Sequence, residues 1–346
     1  MTQVDTNSGT GGASASPVPP GSVPSSRSDR AAEFLSRWGV LAAVILTIAA
    51  FSALRPEIFP TINNARSILS LSAPLLVATL GLTVVLVMQD FDLSFASQVG
   101  LTGAVAIVLM HSYGWPWPLA TLVALILGVG CGLFNGLLVA RLGFPSFIST
   151  LALGTLYLGV EFQITGQKTI FDDSDGSIAD GYRQLAQSRP FWSIPMSVWV
   201  ALTIALLLWI LLEKTELGRY LYAIGGNREA STLSGLAVTR IRIMGFAIAS
   251  LAFAIAGILL TAQSAASSPN RGAPLLLPAF AAAFIGSSVR RQGQFNITGT
   301  VVGVLFLQIV ATGLTMLQLA TSVVLMVQAG ILLGAIGLSL IGNRAR

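Results

Sequence analysis

The chain has 346 residues, of which 54% are hydrophobic and only 10% are charged. This composition, with a mean hydropathy of +0.79, excludes an ordinary soluble domain and predicts an all-α polytopic membrane protein. The formal net charge of +5 does not indicate nucleic-acid binding, because basic residues that border membrane spans mainly report orientation. The single cysteine, Cys131, excludes an internal disulfide.

The chain begins with a polar stretch that is followed by a first apolar run. Residues 1–34 are rich in Ser, Gly, Pro and Thr over most of their length, so we expect a disordered cytoplasmic tail. Residues 38–54 are then long and apolar enough to cross a bilayer. A cleaved signal peptide is the alternative, but the long polar lead favours an uncleaved first span.

Nine further apolar segments follow, so that residues 35–346 form one transmembrane domain with about ten spans. The segments are 68–88, 93–111, 117–140, 147–165, 198–212, 244–262, 275–287, 297–317 and 322–341. The count falls to nine if the short segment with Pro278 does not cross or if the pair that flanks Asp90 and Asp92 forms one broken span, and to eight if both hold. An even count places both termini on one side of the membrane.

Charge distribution predicts that this side is the cytoplasm. With ten spans, most basic residues fall on the same side as the termini, as the positive-inside rule requires; they include Arg141, Lys214, Arg219, Arg228, Arg240, Arg242, Arg290, Arg291, Arg344 and Arg346. The loop 166–196 is the only sizeable external segment. It is acidic, with Asp172, Asp173, Asp175 and Asp180.

Small residues recur at every fourth position in three of the spans. They are Gly128, Gly132 and Gly136, then Gly299 with Gly303, and Gly330 with Gly334. This spacing is typical of helices whose backbones approach closely. We therefore expect a tightly packed bundle and assign no solute contact to these glycines.

The largest polar, mixed-charge segment between apolar runs is residues 213–243. Gly225 and Gly226 allow a tight turn within it, and Asn227 is a suitable N-cap. Glu229 then falls in a first helical turn, where the helix dipole favours an anion.

A short helix is predicted next in the 213–243 segment. It runs from Arg228 to about Ser234, includes Ala230, and ends at Gly235 as a C-terminal stop. So short a helix is not stable alone in water, so it either packs on its own protein or binds a partner. We favour a partner.

The sequence gives little support for an enzyme. The two lysines, Lys168 and Lys214, are preceded by glutamine and glutamate, whereas the lysine of a Walker A motif follows a glycine. His111 is the only histidine, so a metal site or a histidine-based relay has little support. We expect no cofactor and no metal in this chain.

Polar side chains within or between the apolar runs are the functional candidates. A cap or turn role is favoured for Asp90, whereas Asp92 with Ser94 fits either an Asp-x-Ser turn or a pore position. An ionised Glu161 is costly in a span unless it is paired or wet, so it is a candidate cavity residue, although it lies near the outer end of its run and could reach the interface. The amides could bind a polar solute or bond between helices; they are Asn135, Gln163 and Gln308.

Three groups of residues carry a resemblance to a known family. They are Asp92-Leu93-Ser94; then Asn135-Gly136, Leu138-Val139-Ala140, Leu142, Pro145, Phe147-Ile148 and Thr150-Leu151; and finally Thr215, Gly218-Arg219, Tyr222 to Asn227, Ala230, Gly235 and Val238. Over about residues 35–341 the chain resembles the permease subunits of bacterial ABC importers of the ribose, xylose and autoinducer-2 class, which are related more distantly to branched-chain amino acid permeases.

The resemblance implies a complex in the bacterial plasma membrane, which the chain crosses several times. Two permease chains, either two copies of this one or this one with a paralogue, form a pore surrounded by membrane lipid. Two ATPase subunits bind the ATP, and an extracytoplasmic binding protein delivers a sugar or sugar-like solute. The 213–243 segment would couple the ATPase to the spans through Gly225 to Ala230 and Gly235.

The resemblance is incomplete in residues 275–293. Family members usually have an acidic, Glu-Leu-Asp-like approach to this span and a glycine-rich turn after it, whereas this chain has Leu276-Leu277-Pro278 and then Ser287-Ser288-Val289. No functional role is transferred to that region. An ion-coupled secondary transporter for a small polar solute is the alternative function, and it would use intramembrane carboxylates such as Glu161.

Overall fold

A computed structural model describes residues 27–172, 177–288 and 293–344 of the chain, which are almost entirely helical. The helices are α1 (Arg27–Leu54), α2 (Ile62–Val87), α3 (Phe95–Tyr113), α4 (Trp117–Gly136), α5 (Ser146–Thr165), α6 (Asp180–Gln187), α7 (Met196–Lys214), α8 (Glu216–Gly226), α9 (Arg228–Leu233), α10 (Val238–Ser264), α11 (Leu276–Ser287), α12 (Ile297–Met316) and α13 (Thr321–Arg344). Two short strands, β1 (Ile170–Phe171) and β2 (Ala266–Ser267), pair antiparallel. The predicted all-α class is confirmed.

Seven of the helices in the described residues are long and apolar enough to cross a membrane. They are α2, α3, α4 with its π-helical continuation Leu137–Arg141, α5, α7, α10 and α12. Three shorter apolar stretches, Gly39–Leu54, Ala273–Ser287 and Thr321–Ile331, complete a set of ten candidates. Helices α2 and α3 are each long and apolar enough to span, which favours two spans over one broken span around Asp90 and Asp92.

Several sequence-based expectations fall at the edges of the described residues. Helix α1 begins at Arg27, so residues 27–34 of the expected tail are helical, since this stretch contains no glycine or proline to stop a helix. Residues 1–26 lie outside the described residues. The same holds for part of the acidic loop and part of the basic set, namely Asp173, Asp175, Arg290, Arg291 and Arg346.

Helices α10 and α2 form the centre of the bundle. From Ser72 to Met88 every residue is buried, and α10 is buried along most of its length against α2, α3 and α4. The predicted glycine faces explain how these backbones come so close: a side chain at Gly128 or Gly132 would collide with Ala254 or Ser250 of α10. Inside a bilayer this van der Waals contact, rather than release of water, holds helices together.

The other two glycine faces differ from each other. Gly299 lies against Gly286 of α11, as predicted for a packing face. Gly330 and Gly334 of α13 are different, because a Cβ atom added to either one would have no described atom within 4 Å. The described chain therefore supplies no partner for that face of α13.

The external segment is more structured than the loop predicted for residues 166–196. It contains β1 and the helix α6, and α6 is fixed to the bundle by Tyr182, which is fully buried and whose hydroxyl lies 2.6 Å from Thr261 Oγ1 of α10. Arg183 forms an ion pair with Asp172 across the same segment. An eight-residue helix is missed by sequence reasoning because its stability comes from these tertiary contacts.

We predict that substitution of Gly132 by leucine destabilises the bundle, because the new side chain would overlap Ser250 and the Phe246 carbonyl. Overpacking of this kind costs about 1–3 kcal/mol. Gly130 of the same helix has open space around it, so Gly130→Leu is the matched control and should not destabilise. Thermal unfolding of both variants in detergent measures the difference, and equal midpoints would refute the packing assignment.

Candidate functional site

Residues 88–94 form a non-helical segment between α2 and α3, inside the bundle. Phe95, which opens α3, packs on Phe253 near the middle of α10, with ring centroids 5.4 Å apart. Irregular backbone at this depth must have its hydrogen bonds met by protein. Hydroxyls at the start of α5 do so, because Ser146 Oγ accepts from the Phe91 N–H at 3.2 Å and Thr150 Oγ1 accepts from the Leu93 N–H at 3.0 Å.

Asp92 lies at the centre of a buried hydrogen-bond network. Its Oδ1 accepts from the Ser94 N–H at 2.9 Å and from the Ser94 hydroxyl at 2.6 Å. Asn135 of α4 donates to Ser94 Oγ at 2.7 Å, and Asn135 Oδ1 accepts from Tyr157 of α5 at 2.7 Å. Gln98 Nε2 also donates to Ser94 Oγ, at 2.8 Å. The network ties the 88–94 segment to three helices.

This geometry supports the turn interpretation of Asp92 and Ser94 that the sequence left open. Asp92, Ser94 and Asn135 are each 0% exposed, so in this conformation none of them faces a cavity or the surface of the chain. A buried hydrogen-bond network of this kind makes its surroundings rigid. The amide of Asn135 therefore bonds between helices, which is the second of the roles that sequence allowed.

Glu161 is also fully buried, rather than reaching the interface. Its Oε1 accepts a hydrogen bond from the Asn270 N–H at 2.9 Å, and its other oxygen has no hydrogen-bond partner among the described residues. The carboxyl group thus supports the non-helical chain between α10 and α11. This stretch enters the bundle so closely that a side chain at Gly272 would collide with the Ala96 carbonyl.

Both non-helical segments lie close to the start of α3, since the first runs directly into it and Gly272 of the second lies against Ala96. Phe91 of the first segment and Phe95 of α3 lie 6.4 and 6.1 Å from the ring of Phe280 on α11. Phe91 is 38% exposed, and Leu277 at the start of α11 is 58% exposed. The chain thus presents interrupted backbone on one of its faces, as transport proteins do where a solute path is built.

Asp90 has a role that the sequence did not predict. It lies in the turn after α2, but instead of capping a helix it forms a two-pronged ion pair with Arg242 of α10, at 2.8 Å for each contact. Arg228 of α9 adds a third contact, at 3.3 Å. The side chains of Asp90 and Arg242 are only 4% and 7% exposed, so this charge pair is desolvated.

Nothing in the local sequence around Asp90 or Arg242 indicates that these two residues form an ion pair. Asp90 and Arg242 are 152 residues apart, and the basic residues of the 213–243 segment are equally plausible as orientation signals. Through this ion pair, the exposed end of the 213–243 segment is connected by Arg228 and Asp90 to the buried backbone at Asp92.

The predicted short helix is confirmed as α9. Asn227 caps it, since its Oδ1 accepts from the Ala230 N–H at 2.9 Å. Gly235 ends it with φ of +81°, and the Leu236 N–H closes the end by donating to the Ser231 carbonyl at 3.2 Å. Glu229 lies in the first turn, as expected.

The expected tight turn at Gly225 and Gly226 is wrong. Both residues form the last turn of α8, and Gly225 is needed because a side chain there would collide with the Val87 carbonyl at the end of α2. The sequence analysis interpreted the pair of glycines as a tight turn. In the structure, the lack of a side chain at Gly225 instead lets α8 contact the end of α2 closely.

Most of α9 is exposed. Ser231 is its buried residue, whereas Glu229, Ala230 and Thr232 face outward. Leu233 is 84% exposed, and Arg228 keeps 45% of its side-chain surface. The chain therefore presents a short capped helix with a projecting leucine at this end.

Long apolar helices around a buried polar network, with an exposed polar segment at one end, define a multi-pass membrane protein of the transport class. The chain belongs to the branched-chain amino acid transport system / permease component family, whose model matches residues 64–336. The resemblance drawn from the sequence motifs is confirmed, and the chain is a membrane permease.

Several curated proteins are similar over most of their length. The ribose import permease protein RbsC of Escherichia coli K12 is 33% identical over 296 residues, which cover 86% of this chain and 91% of that protein. The D-allose transport system permease protein AlsC of the same strain is 30% identical over 305 residues, covering 88% and 92%. The xylose transport system permease protein XylH of the same strain is 30% identical over 352 residues, which cover 86% of this chain and 90% of that protein. No solved structure matches the chain.

We predict that Asp90→Ala and Arg242→Ala each destabilise the protein strongly. The first leaves the buried Arg242 without Asp90, and the second leaves Asp90 with only its longer 3.3 Å contact to Arg228. Breaking such a pair costs about 3–5 kcal/mol. The double variant should be less destabilised than the sum of the single variants, since it leaves neither charge buried alone. Thermal unfolding in detergent gives the three values, and strict additivity would show that the two side chains do not interact.

Proposed function

We propose that this chain is the permease subunit of an ATP-driven importer in a bacterial plasma membrane, and that it carries a monosaccharide or similar polyhydroxylated solute. The observation that carries the proposal is α9, a rigid exposed helix whose Arg228 is joined to the buried 88–94 segment through Asp90. The family match and the names of the relatives, which are permeases for ribose, allose and xylose, support it.

The ATPase partner follows from the same helix. This chain has no Walker A lysine, so the energy for transport comes from a separate subunit. Leu233 and the outer face of α9 supply an apolar anchor with a polar rim, which is the usual composition of a protein interface. Movement of α9 on nucleotide binding would pull on Asp90, and hence on the hydrogen-bonded chain at Asp92.

The solute-binding protein would dock on the opposite side of the bundle. There α6 is anchored by Tyr182 and presents Asp180, whose side chain is 86% exposed. Because α6 packs on α10, docking at this end would reach the same central helix that carries Arg242 at its other end.

A second permease chain, whether a copy or a paralogue, would complete the pore. The exposed apolar side chains of α5 include Phe147, Ile148 and Leu151, and the glycine face of α13 at Gly330 and Gly334 has no neighbour in the described chain. We place the solute path beside these faces, where Phe91 and Leu277 are exposed. Membrane lipid covers the remaining apolar surface.

We predict that Leu233→Ala weakens binding of the ATPase subunit. Removal of an exposed apolar anchor from an interface costs about 1–2 kcal/mol, or roughly fivefold to thirtyfold in affinity. Leu319→Ala, a similar change in the exposed turn between α12 and α13, is the control and should leave the affinity unchanged. Co-purification of the complex in mild detergent, with the ratio of subunits determined by mass, gives the measurement.

An ATP-driven importer and an ion-coupled transporter predict opposite results in an uptake experiment. In proteoliposomes that hold the complete complex, uptake of labelled D-ribose, D-allose or D-xylose should require ATP and should persist when a protonophore collapses the proton gradient. It should also persist, at a reduced level, in Glu161→Gln, since we assign Glu161 a structural contact to Asn270. Uptake that is lost with the protonophore at constant ATP would restore the secondary transporter.

A further inference from the structure

The connection between α10 and α11 is the outer half of a broken membrane crossing. It begins at the external end of the bundle, where β2 pairs with β1. Helix α11, with 12 residues, is about 18 Å long, little more than half of the roughly 30 Å hydrocarbon core. It covers the inner half, because Gly286 near its end lies against Gly299 at the start of α12. Residues 268–275 therefore cross the outer half without a regular α-helix.

This connection contains backbone conformations that residues other than glycine rarely adopt. Ala265, directly before β2, has φ of +48°, and Asn270 has φ of +59°. Such residues persist where the surrounding structure holds them, and they cluster at functional sites. The 268–275 stretch therefore depends on contacts from other elements for its position.

Glu161 of α5 supplies the contact at the centre of the stretch. Its fully buried carboxyl group accepts from the Asn270 N–H at 2.9 Å. The lack of a side chain at Gly100 of α3 makes room for this carboxyl group, because a Cβ atom there would collide with Glu161 Oε2. Gly272 brings the stretch equally close to α3, where it lies against the Ala96 carbonyl. The carboxyl group thus lies between α3 and α5 and fixes the backbone of the stretch.

The external segment holds the beginning of the same connection. Strand β1 pairs with β2, and Gln187 at the end of α6 donates to the Ala262 and Gln263 carbonyls in the last turns of α10, at 3.2 and 3.0 Å. A displacement of α6 would therefore act on the chain that leads into the 268–275 stretch.

The stretch lies on the outer side of the proposed solute path. Ala273, Pro274 and Leu277 are exposed on one face of the broken crossing. Phe280, one turn further toward the inner side, has its ring centroid 6.4 Å from that of Phe91. A solute that enters from outside would pass residues 268–275 before it reaches Leu277 and these two rings.

We propose that residues 268–275 form the outer barrier of the solute path, and that Glu161 is the positioning residue that holds this barrier closed. A non-helical stretch changes conformation more readily than a helix, because fewer backbone hydrogen bonds must break. Docking of a partner on α6 would release the barrier through β2 and Gln187. This inference rests on the transport function proposed above.

The test measures whether a reagent added from outside reaches a cysteine behind the barrier. The complete complex carries Leu277→Cys in a Cys131→Ala background, which removes the single cysteine of the chain. Spheroplasts that express it are treated with a membrane-impermeant methanethiosulfonate, which has access to the external side alone. Gln184→Cys, on the exposed face of α6, is the control for folding and insertion.

Leu277→Cys should react slowly while Glu161 is present. Glu161→Leu should raise the rate about tenfold, as expected when a hydrogen bond that holds the closed state is lost. Glu161→Gln should leave the rate low, because glutamine keeps an oxygen acceptor for the Asn270 N–H. Gly100→Ala is an independent variant that keeps Glu161 but displaces its carboxyl group, so it should raise the rate as well. Gln184→Cys should react equally in all four backgrounds.

Equal rates at Leu277→Cys with Glu161, Glu161→Leu and Gly100→Ala, while Gln184→Cys reacts normally, would show that the stretch is not a barrier. A rate in Glu161→Gln as high as in Glu161→Leu would equally overturn the role of the acceptor. If Glu161→Leu does not reach the membrane, Gly100→Ala decides. Failure of the transport function is distinguished by a separate result, since ATP-dependent sugar uptake would then be missing from the wild-type complex itself.

Discussion

A single constraint governs this protein: inside a bilayer no water is available to the backbone, so every N–H and C=O group must find its partner within the protein. Regular helices meet this constraint by themselves. Residues 88–94 and the stretch between α10 and α11 cannot do so, because they are not regular helices. Side chains around them accept hydrogen bonds from their backbone N–H groups. Ser146 and Thr150 accept from one segment, and Glu161 accepts from the other.

This arrangement divides the polar residues by function. The network of Asp92, Ser94 and Asn135 is closed on itself and therefore shapes the interior without touching its surface. The contact of Asp90 with Arg242 and Arg228 is different, because it joins buried chain to an exposed helix. A buried, desolvated charge pair is a poor source of stability in its own right, but here it connects α9 to α10 and to the chain that follows α2.

The bundle also separates rigid from open surfaces. Helix α10 is enclosed, and glycines on α4 let it pack against backbone, so the centre is closely packed. Among the described residues, the faces of α5 and α13 remain open. Open faces on a membrane protein are the places where a second subunit, a lipid or a solute binds.

The sequence by itself determined the class, the apolar helices, the short capped helix α9 and the family, because hydrophobic period, capping residues and motifs are local properties. For Asp92 with Ser94 it left a turn and a pore position open. Only the tertiary structure decided the partner of Asp90, the burial of Glu161, the role of Gly225 as a contact and the existence of α6. Each of these depends on residues far apart in the chain, which local patterns do not encode.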